Sequence, residues 1–266
     1  QYGYATEGEV IDVGNNVDNK WIGRRVFSFN PHESHFFTSV KDLIEIPDGI
    51  GYEDAIFLPN METAMNLIMD GSPVIGENVA VIGQGIVGLL TTSLLNSFPL
   101  DNLVTFDTIL KRRQVSLEFG ASYTFGSFEE SIMNSIFDKE YKGFDLVYEV
   151  SGNPGSLNNA IDITGYNGRI IIGSWYGSKK SKLSLGDSFH RSRINLITSQ
   201  VSTIDPKFSG RWTKERRFSV AWEMLRAIKP SRLVTHEYPI EEAKVAYDNL
   251  HQNSDDILQV ILKYDT

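Results

Sequence analysis

Residues 79–90 read Val79-Ala-Val-Ile-Gly83-Gln-Gly85-Ile-Val-Gly88-Leu-Leu90. Four apolar residues suited to a buried strand run into Gly-x-Gly-x-x-Gly, and an apolar pattern with helical spacing follows. Alone, the three glycines are a weak signal. Between a strand and a helix they have the context that a dinucleotide-binding turn requires. Gly83 permits the tight turn, Gly85 lets backbone approach a pyrophosphate, and Gly88 lets helix and strand pack closely. The helix amino end then offers free N–H groups and a partial positive charge to phosphates. Gly83, Gln84, Gly85, Ile86, Val87 and Gly88 are therefore the cofactor-binding candidates. The next strand candidate ends at Asp107, 24 residues after Gly83. That is close to the spacing of about 20 for an acid that holds the adenosine ribose hydroxyls. A carboxylate there repels a 2′-phosphate, so NAD is expected, with NADP the alternative because Lys111, Arg112 and Arg113 follow closely.

Outward from this motif, apolar runs and helical segments alternate. The strands are expected at 79–82, 103–106, 123–125, 144–148, 169–172 and 194–197. Helices fill 86–97, 109–119, 128–138 and 155–164. Continuous apolar strands separated by helices mean a parallel sheet covered on both faces, joined by right-handed crossovers. The fold class is α/β, a Rossmann-type doubly wound sheet spanning residues 73–205. Residues 1–72 are β-rich, with short strands at 8–14, 25–29 and 43–46, and a helix over 53–69. Residues 206–266 carry helices near 214–228 and 241–251 and a strand at 258–262. That tail is too small for a core of its own and is expected to pack on the amino-terminal region.

The 266 residues include no cysteine, and 34 acidic against 25 basic side chains give a net charge of −9. Disulfides, thiolate zinc sites, iron–sulfur clusters and a cysteine nucleophile are excluded. The acidic balance speaks against broad nucleic-acid binding, and the apolar runs are too short to span a membrane. The amino end has neither a basic start nor an apolar stretch of the signal-peptide kind. A cytoplasmic location is the expectation.

With the motif placed, the whole chain resembles the medium-chain dehydrogenase/reductase superfamily, the zinc alcohol dehydrogenase-like proteins. Gly3-Tyr-Ala-Thr-Glu-Gly8-Glu-Val10 stands where such proteins carry Gly-His-Glu-x-x-Gly-x-Val. Gly23-Arg-Arg-Val26, Ile46-Pro-Asp-Gly49, Glu62-Thr-Ala64, Glu118-Phe-Gly-Ala121, Glu149-Val-Ser-Gly152 and Gly168-Arg-Ile-Ile-Ile-Gly173 match in order. The resemblance implies a partial GroES-like catalytic domain, residues 1–72 plus 206–266, split by the Rossmann domain, with the site in the cleft between. It also implies that the catalytic domain is short at its amino end. The departures concern metal. Tyr4 and Ala5 stand in place of the zinc-binding His and Glu, and Leu58 or Pro59 stands where a further ligand is usual. The four-cysteine structural zinc loop is missing. The resemblance implies the nicotinamide cofactor and argues against zinc, so the metal expectation is none.

Other candidates carry the chemistry. Thr63, on the helix leading to the cofactor region, is expected near the nicotinamide, or else bonded back to its own helix. Ser151, Gly152, Gly173 and Ser174 follow the fourth and fifth strands, where ligands of doubly wound sheets bind. Trp175 and Tyr176, which follow directly, are expected to wall the pocket. His32 and His35, with Glu33 between, make a weak metal pair and a better pair of acid–base candidates. Residues 190–217 hold seven basic side chains against two acidic ones in an otherwise acidic chain. Arg191, Arg193 or Arg211 is expected to bind an anionic substrate, with His190 as the acid or base beside it.

The leading expectation is an oxidoreductase that moves hydride between NAD(H) and a small carbonyl or alcohol carbon without zinc. The alternatives are a zinc-free, NADPH-dependent reductase of activated double bonds and a non-catalytic dinucleotide-binding sensor. A homodimer is expected, joined through the strand at 194–197, as the resemblance implies.

Overall fold

The computed structural model describes residues 2–129, 135–137 and 143–264. Six strands form one parallel sheet: β4 (Asn78–Ile82), β5 (Asn102–Phe106), β6 (Tyr123–Phe125), β7 (Phe144–Glu149), β8 (Thr164–Ile172) and β9 (Asn195–Thr198). Their spatial order is β6-β5-β4-β7-β8-β9, and every neighbouring pair is parallel. The chain starts in the middle and winds outward twice, so the order reverses between β4 and β7. Ligands bind at such a reversal, outside the carboxyl ends of the strands.

Alternation within β4 shows why the sheet is apolar throughout. Val79 and Val81 pack with Leu103, Leu146 and Ile171 on one face, while Ala80 and Ile82 pack with Val104, Phe144 and Ile170 on the other. Both faces are covered, so a strand of strict polar alternation would leave polar groups buried. Each fully buried aliphatic side chain contributes about 1.5–3 kcal/mol.

Helices α3 (Ile86–Leu95), α4 (Leu110–Glu118) and α5 (Ser156–Ile163) connect the strands. The expected helix over 128–138 lies largely outside the described residues. A five-residue helix, α6 (Asp187–Arg191), precedes β9 and was not expected. Before the sheet come β1 (Thr6–Glu9), β2 (Arg25–Ser28), β3 (Leu43–Glu45), α1 (Tyr52–Ala55) and α2 (Leu58–Gly71). The first strand lies earlier than the expected 8–14, because only residues 6–9 pair with β2 and Ile11 is exposed. After the sheet come α7 (Lys214–Ile228), β10 (Val234–Pro239), α8 (Ala243–Gln252) and β11 (Gln259–Lys263).

The tail does pack on the amino-terminal region. Ala221, Trp222 and Leu225 of α7 share one core with Phe27, Ile46, Phe57 and Met61, and α3 contributes Leu89 and Leu90 to it. Among the described residues no helix is long and apolar enough to cross a membrane.

Candidate functional site

The glycine turn is held by contacts that leave little room for other residues. Gly83 adopts φ +95°, and a Cβ there would sit 2.6 Å from the Ser151 Cα. A Cβ on Gly88 would overlap the Gly83 carbonyl oxygen, whereas one on Gly85 would meet nothing within 4 Å. Gly83 and Gly88 therefore serve the turn's own packing, and Gly85 leaves space beside its backbone. The first turn of α3 has no side-chain cap, so its N–H groups are available to an anion.

The Asp107 carboxylate is built into this turn. Its Oδ2 accepts the Gln84 N–H at 2.7 Å and its Oδ1 accepts the Ile109 N–H at 2.8 Å. Arg112 Nη1 lies 4.0 Å from Oδ2. Lys111 and Arg113 turn elsewhere, to the Asp256 carbonyl and to the Asp107 and Thr108 carbonyls. Arg112 Nη2 donates to the Ser254 carbonyl at 3.3 Å. A cleft of about 230 Å³ opens at these strand ends. Gly83, Gly85, Asp107, Thr108, Arg112 and Ser151 are among its walls.

Behind the cleft, the wholly buried Glu149 organises two loops. Its Oε1 accepts the Ser151 N–H at 2.9 Å and also the Ser151 hydroxyl, while Oε2 accepts the Tyr176 hydroxyl. The Gly152 N–H donates to Ser174 Oγ at 2.8 Å. Burial and the bond to Glu149 both push the Tyr176 phenol above its ordinary range. The loops after β7 and β8 are thus fastened to each other at the sheet's carboxyl edge. Tyr176 was expected from sequence beside Trp175, whereas Glu149 was not among the expected site residues. The signal for Glu149 was an acid closing the run Phe144-Asp-Leu-Val-Tyr-Glu149 directly after three apolar positions, since a carboxylate is buried only where donors meet it.

The structure brings together Gly83, Gly85, Asp107, Arg112 and Ser151 at this cleft, with Gly152, Gly173 and Ser174 on the same edge. Other candidates have different roles. Gln84 turns its side chain inward, donating to the Gly83 carbonyl and accepting from Thr92. Ile86 and Val87 pack into the cores beside α3, leaving only their backbone for a ligand. The Thr63 hydroxyl donates to the Pro59 carbonyl at 2.8 Å, the bond within its own helix.

Several expectations need correction. Trp175 is 92% exposed, so Tyr176 rather than Trp175 is held against the strand ends. His190, Arg191 and Arg193 lie at or beyond α6, just before β9. They sit at the amino edge of a parallel sheet, opposite the cleft, and Arg191 pairs with Asp187 in solvent. Arg211 is exposed beside the Phe208 ring, 5.4 Å from its centroid. The basic segment therefore does not line up toward one substrate. His35 is exposed, whereas His32 is half-buried against Gly3, whose added Cβ would lie 2.5 Å from Nε2. Burial holds the His32 imidazole below its ordinary range.

A family model described as zinc-binding dehydrogenase matches residues 87–218. A zinc dependent alcohol dehydrogenase from Streptococcus pneumonia superposes with a TM-score of 0.81 at 22% identity, covering 100% of this chain and 83% of its own. Over residues 87–218 the chain thus matches that dehydrogenase family, and along its length it shares the fold of the alcohol dehydrogenase. The same fold is found in a short chain alcohol dehydrogenase from Escherichia coli solved with NADH, at TM-score 0.78 and 18% identity. That match covers 97% of this chain and 82% of the other. Among curated relatives, the D-guloside 3-dehydrogenase of Escherichia coli is 23% identical over 229 residues. That is 85% of this chain and 65% of the relative, so the chain spans just under two-thirds of that protein's length. Sorbitol dehydrogenase 1 of Saccharomyces cerevisiae is 22% identical, covering 98% of this chain and 80% of its own.

Among the described residues, zinc, named in that family description, meets no fitting donor set. Tyr4 is exposed, Ala5 packs on the core, and Leu58 and Pro59 are buried without donor atoms. Among the described residues no three His, Asp or Glu side chains converge, so His32, Glu33 and His35 do not form a metal cluster.

Proposed function

We propose that this protein is an NAD(H)-dependent oxidoreductase that transfers hydride to or from a small alcohol or carbonyl carbon without catalytic zinc. The observation that carries this is the Asp107 carboxylate, bonded to the glycine turn and walling the same cleft as the open face of Gly85. Both features fit a dinucleotide: α3 and Gly85 meet the pyrophosphate, and Asp107 meets the ribose hydroxyls. When bound, the nicotinamide supplies the hydride chemistry, and the protein binds, orients and shields it. Ser151 and Ser174, locked through Glu149, orient the cofactor along the strand ends. Asp107 favours NAD over NADP because both carboxylate oxygens are fixed at the place a 2′-phosphate would need. The relatives named for D-guloside, sorbitol and butanediol suggest a diol or polyol as substrate.

The experiment is titration with NADH and NADPH, read as energy transfer from the four tryptophans, followed by turnover on alcohols, polyols, aldehydes and enones. NADH binding tighter than NADPH with alcohol oxidation supports the proposal. No binding of either nucleotide ends it. Binding without turnover supports the second reading, a dinucleotide-binding protein that is not an enzyme. One observation favours that reading: the acid–base candidate His190 lies at the opposite edge of the sheet. We also propose a homodimer through edge strand β9, which light scattering at micromolar concentration tests.

A further inference from the structure

The basic segment at 190–217 does not face a substrate as a row of cations, but one member has a defined place. Arg217, in the first turn of α7, is 0% exposed. Its Nη2 donates to Glu62 Oε1 at 2.6 Å and to the Val201 carbonyl at 2.5 Å. Its Nη1 donates to Asn66 Oδ1 at 2.6 Å and to the Thr203 carbonyl at 3.4 Å. Asn66 Nδ2 in turn donates to Ser199 Oγ at 3.0 Å and to Asp70 Oδ2 at 2.9 Å. Lys207 Nζ donates to the Asp70 carbonyl at 3.3 Å. Glu62, Asn66 and Asp70 recur every four residues and so form one stripe along α2. One guanidinium thus fastens three segments: α2, the loop 199–203 and the start of α7.

Stability is a poor reason for such an arrangement, because well-packed apolar residues of the same volume often hold a core as well as a buried ion pair. What the arrangement fixes is position. The Ser199 N–H donates to the Ile172 carbonyl at 2.9 Å, so the loop leaves the carboxyl edge directly beside Gly173 and Ser174. Gly173 also marks where α2 crosses that edge, since a Cβ there would lie 2.6 Å from Leu67 Cδ2. Thr63 is one turn before Leu67 on the same helical face, about 6 Å further along the axis. At the start of α7, Lys214 Nζ lies over the rings of Phe29 and Phe218, 5.8 and 5.4 Å from their centroids. Phe29 opens the loop that carries His32.

We propose that Arg217 is the positioning residue for the substrate side of the crevice. It holds α2, with Thr63, and the loop 199–203 in one fixed relation, so this wall is formed before substrate arrives. The proposal rests on the dinucleotide reading, which puts the reacting carbon near Gly173.

The test uses the full chain with Arg217→Lys, Arg217→Met and Ser199→Ala. Hydrogen–deuterium exchange reads the clamp, NADH titration reads the cofactor, and sorbitol and butane-2,3-diol serve as substrates. Arg217→Met should speed exchange across 199–205 at least tenfold and leave 78–82 and 102–106 unchanged, with the NADH Kd within twofold. Arg217→Lys should recover part of that protection. Ser199→Ala, which removes one link only, guards against a Met variant that does not fold, and should show a smaller acceleration in the same segment. The KM of an oxidised alcohol should rise at least fivefold in Arg217→Lys while kcat changes less than twofold. Unchanged exchange at 199–205, or acceleration spread evenly over the chain, would overturn the clamp. An equal loss in NADH affinity and alcohol KM would overturn its substrate-side role. A wild type that binds no NADH would end the dinucleotide reading and the substrate-side role together, and the exchange data would still decide the clamp.

Discussion

The Asp107 carboxylate accepts the Gln84 peptide N–H at 2.7 Å, so the acid that closes β5 and the turn that closes β4 are one unit. Removing its charge should weaken both ribose recognition and the turn. Hydrogen bonds to charged groups contribute about 1.5–3 kcal/mol, and tenfold in affinity is about 1.4 kcal/mol. Asp107→Asn should raise the NADH Kd about tenfold or more and leave NADPH unchanged or tighter, read by fluorescence titration. Equal losses for both nucleotides would show that the acid serves the turn alone.

Two glycines three residues apart should respond oppositely. Gly88→Ala forces a methyl group onto the Gly83 carbonyl oxygen, an overpacking that costs about 1–3 kcal/mol. Gly85→Ala meets open space and should keep its urea midpoint while losing NADH affinity. A Gly85→Ala chain that binds NADH normally would place the pyrophosphate elsewhere.

Tyr176 and Trp175 make a second contrast. Tyr176→Phe leaves one Glu149 oxygen buried without that donor, a loss of about 1–3 kcal/mol. Trp175→Ala, at an exposed side chain, should stay within about 0.5 kcal/mol of the parent. Urea denaturation measures both.

Glu7 predicts a pH dependence. Burial raises its carboxyl from 4.5 to about 7 against the pull of Arg25. Between those values the native chain holds a proton that the unfolded chain has released, so stability falls as pH rises. The contribution is complete below pH 4.5 and gone above about pH 7. Glu7→Gln should flatten that part of the urea-midpoint profile, and an unchanged slope would refute the assignment.

The geometry of the glycine turn and its acid was legible because everything that makes it is local. A strand, three glycines, a helix and the next strand's terminal acid lie within Val79 to Asp107. The substrate side was not, because its central contact joins Arg217 to Glu62, 155 positions apart. Charge counting leaves Arg217 as one of seven basic residues between 190 and 217, and nothing in its neighbourhood marks it as the buried one. His190 illustrates a different loss. A residue just before a parallel strand lies at the amino edge, while ligands bind at the carboxyl edge. That rule was available from the sequence and was outweighed by the nearby arginines. Glu149 lay between these cases, visible as an acid in an apolar strand but without its partners.

The bonds from Lys111 and Arg112 to the carbonyls of Asp256 and Ser254 bear on any attempt to dissect the protein. Cutting at residue 205 would keep every strand of the parallel sheet. It would also strand two cations at the edge of the cleft, one of them a lining residue. The smallest piece that forms the sheet is therefore not the smallest piece that presents the cleft as described, and isolated sheet fragments would give misleading nucleotide affinities.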